Sequence, residues 1–277
     1  MIYLDWNVIA DLESDKLPTL EKKLFDLKKR KSVVIPFSSI HIEEASNIES
    51  REEIDKRLDY ISKLTSDLYF VNNIQFTGYR VIKPKSVYEI MDKSVSDNYM
   101  EEVFYKMINY DVLRNVRKLL NLSPSRLNNI KPEEAVHEID KILLSEENRE
   151  KYLKDYNGDL SFMGLITTVI DIIEQVFPFK LLYYQNKYNK MQNFIIMIFL
   201  TLDSLGFWPE KRETHDRGSH RVDSEHAFNG AFTDLVISAD KRFCMKSRAT
   251  YSMLGINTKV LNVKIDKSEV MKTFEII

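Results

Sequence analysis

Five acids stand where a chain seldom leaves a charge. Asp5 follows directly on the apolar run Ile2-Tyr3-Leu4, and Asp240 closely follows Leu235-Val236-Ile237-Ser238. An unpaired carboxylate at the mouth of a buried strand is costly to desolvate, so such a charge needs a partner. In an open parallel α/β sheet, ligands sit beyond the carboxyl ends of the strands, and acids ending two strands can reach one crevice. Glu44 falls one to two turns into the helix expected after a second apolar segment, and Asp223 at the start of a short helix leading to the Asp240 strand. Four converging carboxylates repel one another unless cations lie between them. Hard oxygen donors suit Mg²⁺ or Mn²⁺, which keep several waters and accept phosphate oxygens. An ion so held polarises a phosphate and lowers the pKa of a bound water. The fifth acid, Asp234, precedes its strand; it either joins this cluster or bonds backbone where the strand begins.

Each acid also has a plainer reading. Asp5, Asp223 and Asp240 each precede a helical pattern and can serve as N-caps, and Glu43 competes with Glu44. Asn7, two places after Asp5, reads as a supporting polar group. His226, one turn after Asp223, either orients a carboxylate or phosphate or has only a local partner. His41 and His137 read as ordinary helix residues, and His215 and His220 lie in a loop too irregular for a zinc motif. Arg221, Lys241, Arg242 and Lys246 lie near the expected mouth, where they can meet phosphates or simply form solvated helix faces. Lys211, Arg212, Arg217 and Arg248 carry the same pair of readings. The segment "KLLYYQNKYNKMQNF" interleaves aromatics with lysines, a pattern for stacking unpaired bases or for core packing.

The elements that must position these residues fall into three textures. Residues 1–64 read strand, helix, strand, helix: Ile2-Tyr3-Leu4, "LPTLEKKLFDLKKRK", "SVVIPF" and "SIHIEEASNIESREEIDKRLDYISKL". That alternation predicts parallel βαβ units. Residues 65–205 carry a short extended piece, "LYFVNN", and then amphipathic helical patterns, broken at "LSPSRLNNIKP" and "DYNGD". Residues 206–277 return to α/β: a polar loop, a short helix from Asp223, the strand Leu235–Ser238, the helix "KRFCMKSRATYSML" closed by Gly255, and the strand "TKVLNV". The ends read as two halves of one sheet, with a helical insertion between them.

These residues resemble the PIN-domain nucleases. "LDWNV" is similar to their D-x-N opening, and "SSIHIEEA" to their second signature, in which an acid follows a strand-ending Ser, here Ser38 and Glu44. Asp223 and Asp240 in "DSEHAFNGAFTDLVISADKRF" match the third and fourth acids, in a form resembling a bacterial branch of PIN-like proteins. The resemblance covers about 50 residues at the start and about 70 at the end of the chain, and none of the middle. It implies a PIN-like three-layer α/β core with a central parallel sheet, formed by 1–64 and 206–277, plus a large, mostly helical insertion. It also implies a metal-dependent endoribonuclease, a toxin or defence effector among the roles open to it, with Asp5, Glu44, Asp223 and Asp240 around Mg²⁺ or Mn²⁺. RNA is the implied substrate; an antitoxin or other protein partner, and a homo-oligomer, stay open. The alternative is a non-catalytic interaction module whose helical insertion binds a partner.

The whole chain of 277 residues is 44% hydrophobic and 30% charged, with a net charge of −2, so a polyanion would have to meet local basic patches. Cys244 is the only cysteine, which excludes an intrachain disulfide and fits a reducing, cytoplasmic setting. The N-terminus does not read as a signal peptide. "NFIIMIFLTL" is too short to span a bilayer, which takes about 20 apolar residues, and reads as a buried core helix.

Overall fold

A computed structural model describes residues 1–71, 81–94, 110–148, 160–167, 187–211 and 219–276. The strands expected at both ends of the chain form and pair. β1 (Ile2–Leu4) lies parallel to β4 (Leu235–Ser238), and β4 parallel to β5 (Lys259–Asn262), giving a three-stranded sheet in the order β1-β4-β5. The register sets Leu4 opposite Ile237 and Ser238 opposite Asn262, so Asp5 and Asp240 leave neighbouring strands at the same edge.

Side chains alternate across this sheet as the period of two requires. Ile2, Leu4, Leu235, Ile237 and Leu261 face a core shared with α1 (Trp6–Glu13), α2 (Pro18–Lys29), α3 (Ser39–Ser46) and α4 (Arg51–Thr65). Tyr3, Val236 and Val260 face the opposite core, with residues of the helices described next. The sheet is therefore covered on both sides, as all-parallel sheets are.

The segment "SVVIPF" is extended but pairs sparsely. Val34 accepts from the Ile2 amide at 2.9 Å, and Phe37 bridges in parallel to Tyr69. Pro36 has no amide to give, which limits the ladder there. Through Phe37 this segment meets a second, two-stranded antiparallel sheet, β2 (Leu68–Val71) and β3 (Val81–Pro84). The single helix expected over 39–64 is two helices, because Asn47 closes α3 and the Ser50 hydroxyl caps α4.

Beyond the hairpin come α5 (Val87–Ser94), α6 (Tyr110–Leu119), α7 (Pro124–Leu127), α8 (Ala135–Leu143) and α9 (Lys187–Leu205). Then α10 (Ser219–Gly230) precedes β4, α11 (Lys241–Leu254) follows it, and α12 (Lys267–Ile276) follows β5. The apolar helix α9 packs in two directions. Ile195 and Phe199 join the core beside β4, while Met197, Ile198 and Leu202 join a separate helical cluster with Leu120 and Leu122, just after α6, and with α7 and α8. Ala249 of α11 belongs to that helical cluster as well. The outer edge of the sheet is β5, where Arg248 donates to the Val260 carbonyl at 3.0 Å and pairs with Asp266.

The expected helical stretches over 95–108 and 168–177, residues 180–186 of the Lys/Tyr stripe, and residues Arg212, His215 and Arg217 lie outside the described residues, as do the side chains of 187–190, Asn193, Ser219 and His220. Among the described residues, no helix is long and apolar enough to cross a membrane.

Candidate acidic site at the strand ends

Asp5 sits where β1 turns into α1, and its own amide still belongs to the sheet, donating to the Ile237 carbonyl at 2.9 Å. It holds the N-cap position of α1, but its carboxylate makes no capping bond. Instead Oδ2 accepts from the Ser238 hydroxyl at 2.6 Å and from Asn7 Nδ2 at 3.3 Å. The same Ser238 hydroxyl accepts from the Asp240 amide at 2.9 Å. One side chain at the end of β4 thus ties the Asp5 carboxylate to the backbone of Asp240.

Asp240 behaves partly as its plainer reading expects. Its Oδ1 accepts from the amides of Arg242 and Phe243, at 2.6 and 3.1 Å, and caps α11. Asp223 falls in the second turn of α10, because that helix begins at Ser219 rather than at Asp223. It faces the crevice, with Lys246 Nζ 3.6 Å from Oδ2. Burial raises its carboxyl well above the ordinary value; Lys246 works against this, while Glu210, Asp240 and Asp5 push it further up.

Glu44 and Glu43 part company on α3. Glu43 pairs with Arg221, whereas Glu44 Oε2 meets His226 Nε2 at 2.6 Å. Burial, then the Asp5 carboxylate, raises Glu44 well above its usual range. Asp5 therefore bears on Glu44 and on Asp223, and Asp240 bears on Asp223: the four acids share one electrostatic neighbourhood.

Behind them runs a buried polar chain. His226, 1% exposed, contacts Tyr3 Oη through Nδ1 at 2.8 Å, and Nε2 lies 3.7 Å from Asp5 Oδ1. Tyr3 Oη reaches the Ser38 hydroxyl at 2.8 Å. His41 Nδ1 accepts from the Ser38 amide at 3.0 Å, in a capping box for α3. A carbonyl only accepts, so the contact of His41 Nε2 with Leu4 O at 2.8 Å fixes the Nε2–H tautomer. Burial lowers the pKa of both histidines, opposed in His41 by the Leu4 bond and in His226 by Asp5. Both imidazoles are neutral struts, and His41 is no ordinary helix residue.

Several expected site residues lie elsewhere. Asp234 pairs with the Met1 amine at the opposite end of the strands, with its side chain 86% exposed, so it takes no part in the crevice. Lys246 cannot present its ammonium to a nucleic acid, because its side chain is wholly buried. It contacts Glu210 Oε1 at 2.9 Å and Asp203 Oδ1 at 3.6 Å as well as Asp223. Burial alone would lower its pKa, but Asp203, Asp223 and Glu210 together outweigh this and raise it. Arg221 is engaged by Glu43, and Lys241 lies over the Trp208 ring, 4.2 Å from its centre. Arg242 is partly buried on the first turn of α11.

Asp203 and Glu210 were not among the expected site residues. The signal for Asp203 was available: an acid inside "IMIFLTLDSLGF", the most apolar stretch of the chain, has to be paired. Nothing in the sequence marks Glu210 or the Ser238 bridge.

In chemistry the donor set suits a hard divalent ion, being all carboxylate oxygen, and burial first, then neighbouring negative charge, raises both Glu44 and Asp223. In arrangement the acids are otherwise engaged. Among the described residues, no group of three or more His, Cys, Asp or Glu is disposed to hold a metal ion. Glu44 rests on His226, Asp223 on Lys246, and Asp240 on its helix. Compared with known proteins, the chain matches no family model, no curated protein and no solved structure.

Proposed function

We propose that this protein is a metal-dependent endoribonuclease on a PIN-like core, with Asp5, Glu44, Asp223 and Asp240 as the residues that hold Mg²⁺ or Mn²⁺. The observation that supports this reading is the Ser238 bridge, which joins the Asp5 carboxylate to the backbone amide of Asp240 where two adjacent parallel strands end. Such an edge is where open α/β sheets bind ligands. A bound ion would supply charge to a phosphodiester and a water of lowered pKa. The chain's own residues do the rest. Ser238 and Asn7 fix the Asp5 carboxylate, and Tyr3 and His226 hold Glu44 in reach of it.

The rival reading, a non-catalytic module, draws support from the Asp240 cap and from the internal partners of Glu44 and Asp223. The two part on one experiment. Purified protein is incubated with mixed RNA and Mn²⁺, beside Asp5→Asn, whose amide oxygen can still accept from Ser238 while one unit of negative charge is lost. The nuclease reading expects cleavage by the parent and a loss of at least about a hundredfold in the variant, on the order of 3 kcal/mol of transition-state stabilisation. It also expects a Mn²⁺-dependent rise in melting temperature that the variant lacks. Equal cleavage, or none by either protein, leaves the module.

A further inference from the structure

A cavity of about 410 Å³ opens between α1 and α4 and holds none of the four acids at the strand ends. It is lined by Trp6, Glu13, Ile48, Glu53, Lys56 and Arg57. The helical repeat gathers these residues. Trp6 and Glu13 are two turns apart on one face of α1, while Glu53, Lys56 and Arg57 sit at i, i+3 and i+4 on α4.

Trp6 and Ile48 give the cavity an apolar wall and are only partly buried. The Arg57 guanidinium lies over the Trp6 ring, 5.0 Å from its centre, and pairs with Glu13, whose side chain is 7% exposed. Lys56 Nζ stands 3.6 Å from Glu13 Oε1 on a side chain that is 74% exposed. Glu53 gives its amide to the Ser50 cap, and its carboxylate makes no ion pair among the described residues.

A flat wall of indole and guanidinium, with one open carboxylate and one exposed ammonium, complements an unpaired nucleobase carrying a phosphate. Such bases stack on aromatic rings or guanidinium planes and are read along their Watson–Crick edge. A carboxylate offers two acceptors side by side. Guanine meets it with two donors, N1–H and N2–H. Adenine and cytosine set an acceptor beside a donor, and uracil sets one donor between two acceptors. Trp6 follows Asp5 directly, so the cavity begins one residue from the acidic crevice.

We propose that this cavity is a subsite for an unpaired guanine: the base stacks against Trp6 and Arg57, Glu53 accepts its N1–H and N2–H, and Lys56 meets its phosphate. As the base beside the cut, the guanine rests on the nuclease reading above. A mere brace between α1 and α4 would hold Arg57 on Trp6 equally well but would not tell one nucleotide from another.

The test needs no divalent ion. Trp6 and Trp208 are the only tryptophans, so Trp208→Phe leaves Trp6 as the sole indole reporter. That chain, in chelator, is titrated with the 5′-monophosphates of guanosine, adenosine, cytidine and uridine while Trp6 fluorescence is followed. Equilibrium dialysis of the unaltered chain ranks the four without the reporter. Guanosine monophosphate is expected to bind at least about tenfold more tightly than the others, the worth of a hydrogen bond to a charged acceptor. Glu53→Gln is expected to leave the melting temperature unaltered and to erase that preference. Lys56→Ala is expected to weaken guanosine monophosphate severalfold but not guanosine. Equal binding of all four, no binding, or a preference that survives Glu53→Gln overturns the subsite. RNA cleavage without such binding sinks the subsite alone, and guanine binding without cleavage sinks the nuclease reading alone.

Discussion

At the scale of single residues, the site is a contest between burial and charge. His41 and His226 are buried neutral, with pKa values below the ordinary 6.5. As pH falls through 6.5, the unfolded chain takes up protons on both rings before the folded chain does. The stability these rings confer is thus present above that value and is lost in acid. Glu44 and Asp223 run the other way. Their raised values mean the folded chain still holds protons that the unfolded chain has released above 4.5 and 3.8. Their contribution is full below those values and is lost as pH rises. A divalent ion must displace such protons to bind. The melting-temperature gain from Mn²⁺ is therefore expected to grow between about pH 5 and about pH 8. A gain that stays flat over that interval would count against Glu44 and Asp223 as ligands.

At the scale of elements, the short strands and the acids just beyond them were readable from sequence, because apolar runs of strand length followed by a charge leave few alternatives. "SVVIPF" was readable as extended but not as poorly paired, since that follows from Pro36 and from its neighbours on either side. The helix start at Ser219 was hidden because "GSHRV" carries no apolar periodicity. The cage around Lys246 was hidden for a different reason. Its four charges lie on α9, on the loop after it, on α10 and on α11, and no local pattern relates them. Asp240 shows how one element serves two ends, as it caps α11 and borders the crevice. Asparagine caps as well as aspartate does, so Asp240→Asn is expected to keep the thermal stability of the metal-free protein. Asp240→Ala is expected to lose about 1 kcal/mol in chemical denaturation. Both are expected to lose the Mn²⁺ response. Full retention of that response in Asp240→Ala would reduce the residue to a cap.

At the scale of the whole molecule, the regions expected as core and insertion share packing. The long helix α9 lends Ile195 and Phe199 to one core and Met197, Ile198 and Leu202 to the other, and sends Asp203 to Lys246 on α11. The acidic crevice and the helical region thus meet at one ammonium, which touches Asp203 of α9 and Asp223 of α10. Arg248 bears on how copies of the protein meet. Parallel sheets with a bare outer strand invite another chain to add on, and here the guanidinium occupies the Val260 carbonyl that such an intruder would need. Arg248→Ala is expected to uncover that docking rail and to give concentration-dependent association in sedimentation velocity, where the parent gives none through this edge. One guanidinium thus closes, at Val260, the flank along which a second copy would otherwise zip on.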